Sequence, residues 1–348
     1  MGHKKPRIVV DARMLGQHGI GQYVADLALG MAKAERDYEL FYLVSHELAQ
    51  EHALRSLPHA ESSIPFLHLR EALFLPSEIQ RLEPDLYHSP SFSSLLWAPC
   101  PYVQTVHDLN HLHFGNTAQK IYYRALLKPS ALKARALLTV SQSVREELSE
   151  WLQNKRPIEL APNAIQKRPE GEKKRLTAFE LKNDFFLCVS NNKSHKNLAL
   201  LERAYEKAKK QEPHLPPLVM NISGQTTEGI QKIGAVTQAD LDALFSHARA
   251  FFFPSLYEGF GRPPLEAALH GTPPYVSAIA PHKEGLAGVK EARFFSPTEE
   301  SAWVDAFLLA AKNSARVSET SRNWITQEYS LEKLARTMDG IYRAALSR

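Results

Sequence analysis

The segment Pro254-Ser255-Leu256-Tyr257-Glu258-Gly259-Phe260-Gly261-Arg262-Pro263-Pro264-Leu265-Glu266 puts two carboxylates and two glycines at the end of a strongly apolar run. A carboxylate accepts two hydroxyl hydrogen bonds, so Glu258 and Glu266 each suit a vicinal diol of a sugar or a ribose. Gly259 and Gly261 allow a ligand close to the backbone, and a helix opened by Pro263-Pro264 offers its first N–H groups to an anion. Glu266 is expected on the first turn of that helix and Glu258 in the loop before it. Singly, each has a plainer reading: Glu266 complements the helix dipole, and Glu258 is a solvated loop acid. The combination is what points to a phosphorylated, polyhydroxylated ligand.

Other residues bear on chemistry less directly. His107 stands beside Asp108 at the end of an apolar run, ahead of Asn110-His111-Leu112-His113. Three histidines at this spacing raise a metal reading, but a strand end followed by a loop gives no fixed ligand face, and no metal is expected. His111 and His113 read as loop residues. Gly19-Ile20-Gly21 reads as a tight turn or an anion contact. Gln119 to Arg135 carries Lys120, Arg124, Lys128, Lys133 and Arg135 with no acid, interleaved with Tyr122, Tyr123, Leu126 and Leu127. That pattern suits an anionic membrane or a lipid-diphosphate, or equally a core helix with a solvated basic face, and Pro129 interrupts its periodicity.

These residues need a frame. Strands are predicted at Arg7–Asp11, Leu40–Val44, Asp85–His88, Tyr102–Val106 and Leu137–Val140. Helices are predicted from Gln22 to Lys33 and after Val140, where Ser143 and Glu146 form a capping box. Gln166 to Lys182 is crowded with Lys, Arg and Glu and reads as a linker. Alternation then restarts: strands at Phe185–Val189, Leu218–Ile222, Ala250–Phe253 and Tyr275–Val276. Helices follow from Asn197 to Lys210, from a Thr237 cap with Asp240 at its third position, from Trp303 to Lys312, and from Leu331 to Leu346. Alternating strands and helices imply parallel sheets covered on both faces, with ligands at the strands' carboxyl ends and a cleft between two domains.

Composition agrees. At 348 residues with 44% hydrophobic and 23% charged residues, the chain suits two packed domains and is too apolar for disorder. No apolar run reaches the ~18 residues of a membrane span, and the basic N-terminus lacks a signal-peptide core. Two cysteines, Cys100 and Cys188, make no disulfide framework, which favours a reducing cytosol. A net charge of +4 gives no nucleic-acid footprint.

The run Glu-Gly-Phe-Gly-x-Pro-x-Leu-Glu-Ala closely resembles the Glu-x7-Glu signature of family 4 retaining glycosyltransferases, and Gly271-Thr272-Pro273 with Ser277 is similar to that family's next segment. The resemblance runs along nearly the whole chain: Gly19-Ile20-Gly21-Gln22-Tyr23, Thr105-Val106-His107-Asp108-Leu109, Val140-Ser141, Pro162-Asn163 and His195-Lys196-Asn197-Leu198 fall in the family's order. It implies the GT-B fold, an α/β architecture of two doubly wound Rossmann-like domains facing a central cleft. It assigns 1–165 to an acceptor-side domain completed by a crossing tail at 325–348, 166–182 to a linker, and 183–324 to a nucleotide-sugar-binding domain. Closure would hinge near Ile165 and Arg322.

By the same resemblance, Glu258 holds the transferred sugar, Glu266 the ribose, Gly21 faces the donor diphosphate and Lys196 neutralises it. His107 touches the donor sugar or positions the acceptor. Phe260 and Gly261 offer backbone to sugar hydroxyls, and Asn191, Gly259 and Leu265 complete the donor side. The chain departs from the family at Ser190-Asn191-Asn192 and His195, where an arginine is usual, at Arg262, which is placed to reach the phosphates, and in the shorter stretch Gly224 to Val236. The implied activity is metal-independent, cofactor-free transfer of a hexose, mannose first, from a nucleotide-diphosphate sugar to a glycan or lipid-linked acceptor by front-face displacement. GDP-mannose is the first donor and a UDP-sugar the second, in the making of bacterial polysaccharide such as lipopolysaccharide, at the cytoplasmic face. The alternatives are a catalytically silent sugar-nucleotide-binding protein and a non-hydrolysing sugar-nucleotide epimerase.

Overall fold

The computed structural model describes residues 4–347 except 17, 46–56, 65, 67–70, 96, 170 and 182–183. It divides into two compact units. Met1–Ala164 with Leu331–Arg348 form the first, and Ile165–Ser330 the second.

Among the described residues the first unit contains seven strands: β1 (Arg7–Asp11), β2 (Glu39–Ser45), β3 (His59–Ser62), β4 (Leu86–Ser89), β5 (Tyr102–Val106), β6 (Ala136–Thr139) and β7 (Glu159–Leu160). All pair in parallel in the order β3-β2-β1-β4-β5-β6-β7. Ile8, Val9 and Val10 are fully buried, as expected of a central strand covered on both faces. The order reverses between β1 and β4, so the loops after those strands and after β5 frame the ligand position of a doubly wound sheet.

The helix Leu331–Ser347 returns to this unit. Leu334, Ala335, Met338, Tyr342 and Ala345 are its buried stripe. Gly30, on the helix His18–Ala32, lets the two helices approach, because a Cβ there would stand 2.8 Å from the Leu331 carbonyl oxygen. Tyr342 donates to His88 Nδ1 at 2.7 Å, or accepts from it, and His88 Nε2 lies 2.8 Å from Thr105 Oγ1.

The second unit contains β8 (Phe186–Cys188), β9 (Leu218–Met220), β10 (Ile230–Lys232), β11 (Ala250–Phe253), β12 (Pro274–Ser277) and β13 (Arg293–Phe295), parallel in the order β10-β9-β8-β11-β12-β13. Tyr275 and Phe307 stack on Phe252 in its core, and Phe186 meets Phe252 edge-on. The reversal here falls between β8 and β11. The two ends of the unit are joined: Ile165 N donates to Tyr329 O at 2.7 Å.

Two Rossmann-like parallel sheets are therefore as the alternation predicts, while several local expectations need correction. The expected linker 166–182 belongs to the second unit. Leu176, in the 3₁₀ turn Lys173–Phe179, is buried, Gly171 N donates to Ser246 Oγ at 3.0 Å, and Arg175 pairs with Asp240 at 2.8 Å. Arg168 and Arg175 pair with Asp242 and Asp240 on the helix Gln238–His247, far away in sequence, while Glu172, Lys173 and Lys174 stay exposed. The returning tail starts at Leu331 rather than at 325, because Ile325 is buried in the second unit and Trp324 covers Gly288 there.

The helix expected from Gln22 starts at His18, which puts Gly19 and Gly21 inside a helix rather than in a turn. The capping residue after β6 is Ser141, not Ser143: Ser141 is extended, and its Oγ accepts from Val144 N at 3.2 Å. The Thr237–Asp240 capping box is present. Gln119 to Lys133 lies on helical turns that begin at Thr117, with a π turn at Tyr123–Leu127 ahead of Pro129, and Arg135 follows outside them. A wider turn absorbs the hydrogen bond that proline cannot make. Among the described residues no helix is long and apolar enough to cross a membrane.

Candidate active site

In the second unit, the loops after β8 and β11 bring Lys196 and Glu258 together. Lys196 closes the 3₁₀ turn Ser194–Lys196, and Asn197 follows in the left-handed region at φ 56°. Asn197 Nδ2 donates to Pro254 O at 3.3 Å, and Leu256 N donates to His195 O at 2.8 Å, which ties the two loops. Lys196 Nζ then lies 2.6 Å from Glu258 Oε1, with the side chains 13% and 12% exposed. The ammonium also sits 5.2 Å from the centre of the Phe253 ring. Burial works against charge on Glu258, but Lys196, His282 when protonated, and hydrogen bonds from Lys196 and Ser255 outweigh it and hold the carboxyl below its ordinary range.

Gly261, at φ 84°, ends the glycine loop, and the helix Arg262–Leu269 begins. Only glycine takes this conformation freely, and the ring of His282 fills the space a Cβ would need. Pro263 and Pro264 carry no N–H, so this helix start has fewer free donors than the motif suggested; the glycine loop and Arg262 supply what backbone donors there are. Glu266 is the fifth residue of the helix, one turn deeper than expected, and its Oε1 lies 3.3 Å from Arg262 Nη2. Arg262 thus stands beside the second carboxylate, and the Lys196–Glu258 pair is formed without it. Leu265 is fully buried, and the Phe260 ring packs edge-on against Tyr329 at 5.2 Å, so both can present only backbone to a ligand. Gly259 lies between them and Glu258. Asn191 is exposed, and its Oδ1 accepts from Lys193 N at 3.2 Å, shaping the loop before Lys196.

In the first unit, Gly21 is buried in the helix after β1, where a Cβ would stand 2.2 Å from Met14 O. The glycine is required by this close approach. His107 comes directly after β5. Its Nε2 lies 2.8 Å from the Pro90 carbonyl oxygen, which can only accept, so Nε2 carries the ring proton and Nδ1 is the acceptor. Its ring meets Tyr23 edge-on at 4.9 Å. Burial pushes the imidazole down to about 4, so at neutral pH His107 offers a lone pair and no charge.

His111 packs between Phe92 and Tyr123, and His113 pairs with Glu147, so the three histidines engage different partners. Among the described residues no three His, Cys, Asp or Glu side chains gather as a metal cage would need. Of the basic stretch, Lys128 is turned to the Trp151 carbonyl and ring, and Arg135 donates to Ala345 O at 2.8 Å. Arg124 and Lys133 are exposed.

Two buried groups escaped the sequence reading. Arg13 Nη2 lies 2.6 Å from both Asp11 and Glu71 at the end of β1; a strand-end Asp-x-Arg gave the only hint. His282 is buried behind Gly261 and acts electrostatically on Glu258. A lone histidine after Pro281 carried no signal.

Comparison with known proteins bears on the chain's family and fold. Residues 18–167 match the family model Glycosyltransferase Family 4, and residues 170–330 match Glycosyl transferases group 1. The O-antigen chain mannosyltransferase RfbU of Salmonella typhimurium is 29% identical over 219 residues, 58% of this chain and 58% of that protein. The chain thus matches little more than half the length of that relative. The O-antigen chain mannosyltransferase B of Escherichia coli is 25% identical over 319 residues, 78% of this chain and 82% of that one. Among solved structures, sucrose-phosphate synthase from Thermosynechococcus elongatus aligns with a TM-score of 0.76 at 15% identity, covering 98% of this chain and 99% of that one. Anabaena HepE, solved with UDP and glucose, aligns with a TM-score of 0.73 at 14% identity over 97% and 100% of the two chains. These two likenesses concern the fold.

Proposed function

The chain belongs to the family 4 glycosyltransferases of the GT-B fold, and from that premise we propose that it transfers a hexose from a nucleotide-diphosphate sugar to a glycan or lipid-linked acceptor, with retention of configuration and without a metal. The observation that carries this is the Lys196–Glu258 pair at the reversal point of the second sheet. It sets a cation for the diphosphate beside a carboxylate for the sugar. Glu266, steadied by Arg262, takes the ribose hydroxyls, and the Gly259–Gly261 backbone approaches the sugar. In the first unit, His107 Nδ1 accepts from a sugar hydroxyl.

No nucleophile on the protein is needed for front-face displacement. The acceptor hydroxyl attacks the face from which the diphosphate leaves, a diphosphate oxygen takes its proton, and Lys196 offsets the charge of the departing group. Mannose is the first sugar and GDP-mannose the first donor, supported by the mannosyltransferase relatives. Lys120, Arg124 and Lys133 favour an acceptor held at an anionic lipid surface, and the free thiols of Cys100 and Cys188 favour a reducing cytosol.

A thermal-shift panel of GDP, UDP and ADP with their sugars tests the donor. A nucleotide at 100-fold over its Kd stabilises by about 2.7 kcal/mol. Turnover of the selected donor is expected to survive a chelator; loss on chelation with rescue by a divalent ion would overturn the metal-free reading.

A further inference from the structure

His282 stands outside the donor contacts assigned above. It lies on the short helix Ala280–Gly285 after β12 and is buried. Nδ1 is 2.9 Å from the Ser277 carbonyl oxygen, which can only accept, so Nδ1 carries the ring proton and Nε2 presents a bare lone pair. Nε2 is buried and has no hydrogen-bond partner. It is 3.3 Å from where a Cβ on Gly261 would stand, so the ring backs the glycine loop. The Phe253 ring contacts both sides of the cluster, 5.5 Å from the His282 ring and 5.2 Å from Lys196 Nζ.

The charged groups that act on the ring from other elements are Glu258, after β11, and Lys196, after β8. Arg262, on the helix after Gly261, is paired with Glu266. On the ring's own helix, Lys283 is exposed and Glu284 half-exposed. Three ionisable side chains thus share one buried corner with one positive and one negative charge. A diphosphate that draws Lys196 away leaves Glu258 a buried carboxylate without its cation, which is costly.

We propose that His282 is the standby counter-charge of Glu258: when Lys196 turns to the donor's diphosphate, His282 Nε2 takes one proton from solvent, and the imidazolium replaces the ammonium. This rests on the donor reading above. Nδ1 keeps its proton on Ser277 O throughout, and when Lys196 returns, the Nε2 proton goes back to solvent. An imidazole holds a proton more tightly than a carboxylate by roughly two pH units in water, so the proton settles on His282 rather than on Glu258. His282 is then a positioning residue, keeping Glu258 ionised to grip sugar hydroxyls while its first partner is occupied.

The histidine can be read without any donor. NMR titration of the His282 ring, assigned by its loss in His282→Gln, is compared in the wild type, Lys196→Met and Lys196→Met/Glu258→Gln. The midpoint should rise about a thousandfold or more in proton affinity in Lys196→Met, from about 4 to neutral pH or above, and fall back in the double variant. An unchanged midpoint in Lys196→Met, or a proton found on Glu258 instead, overturns the proposal; if that variant fails to fold, Lys196→Gln carries the same comparison. Calorimetry with GDP-mannose and UDP-glucose in two buffers of different ionisation enthalpy then counts protons, since the phosphates of a nucleotide sugar are fully ionised near neutral pH. Uptake of about one proton, abolished in His282→Gln, supports the proposal. Binding with no uptake overturns it. Absence of binding by any nucleotide sugar overturns the donor reading instead, while the titration still judges His282.

Discussion

Lys196 Nζ and Glu258 Oε1 lie 2.6 Å apart, joining the ends of two neighbouring strands through residues 62 positions apart. Because both side chains are mostly buried, each depends on the other. Lys196→Met and Glu258→Gln should each destabilise the second unit, by about 3–5 kcal/mol if no neighbour relaxes. The double variant should be more stable than the sum of the two losses by about 1–3 kcal/mol. Chemical denaturation of the four proteins closes that cycle, and strict additivity would show that the contact is not formed in solution.

The same pair predicts a division of labour in binding and turnover. Glu258→Ala should lower turnover roughly 10²-fold or more, the usual cost of a polar contact made in the transition state. Lys196→Ala should weaken a nucleoside diphosphate far more than the free nucleoside, because its charge acts on phosphate oxygens. Arg262→Ala should weaken both ligands, since Arg262 steadies Glu266 at the ribose. Calorimetric titration with diphosphate and nucleoside separates these patterns, and equal losses for Lys196→Ala would place that side chain elsewhere.

Gly19 and Gly21 stand two residues apart in one helix and should behave oppositely. A Cβ at Gly19 has nothing within 4 Å, whereas one at Gly21 would stand 2.2 Å from Met14 O. Gly19→Ala should stabilise the first unit by roughly 0.5–1 kcal/mol through helix propensity. Gly21→Ala should destabilise it, since backbone has to move. Urea unfolding of the two variants measures both signs; a Gly21→Ala protein as stable as the wild type would refute the close approach.

Much of this was legible because it is local. The Glu258–Glu266 loop, the central strands and the Thr237 cap are each written within a dozen residues. The Lys196–Glu258 contact is not, because only the parallel pairing of β8 with β11 makes their loops neighbours. For the same reason 166–182 read as a linker: Arg175 finds Asp240 across 65 positions. β7, β10 and β13 have two or three residues, too few to show an alternating pattern. His282 gave nothing to read, since its significance lies in an absent Cβ on Gly261 and a carbonyl on Ser277.

Acid should loosen the first unit through its histidines. Burial lowers His88 to about 3 and His107 to about 4 from an ordinary 6.5, and it lowers His282, in the second unit, to about 4. Depressed folded-state values mean that the stabilisation is complete above about pH 6.5 and is lost as pH falls toward 4 and below. Each such histidine steepens the loss by about 1.4 kcal/mol per pH unit in that window. Urea unfolding between pH 7 and 4.5, followed by Trp151 in the first unit and Trp303 in the second, should show the first unit losing stability faster. His88→Gln should flatten its slope by about one proton, and an unchanged slope would sink the account.

Tyr342 fixes the returning helix to the first sheet through His88. Tyr342→Phe keeps the ring and removes the hydroxyl, leaving His88 Nδ1 buried without its partner at a cost of about 1–3 kcal/mol. The loss should appear in the first unit alone. Removal of residues 331–347 should expose the apolar faces of Tyr23 and Tyr38 and make the first unit sticky; a truncated protein that stays soluble with an unchanged first-unit transition would contradict the packing.

The order of synthesis gives that helix a further consequence. Every residue of the second unit leaves the ribosome before Leu331 does, and at about 5–20 residues per second this takes roughly 10–30 s. Throughout that interval β1 to β7 lack the side chains of Leu334, Met338 and Tyr342, so the half made first is the half finished last. The second unit is contiguous, and once Ile165 meets Tyr329 its ends are clasped. It can therefore fold on the emerging chain as an insert, holding the two segments of its unfinished neighbour close together until the last helix arrives. A nascent-chain stall placed near Ser330 would capture a molecule with one closed unit and one that a holdase chaperone should recognise.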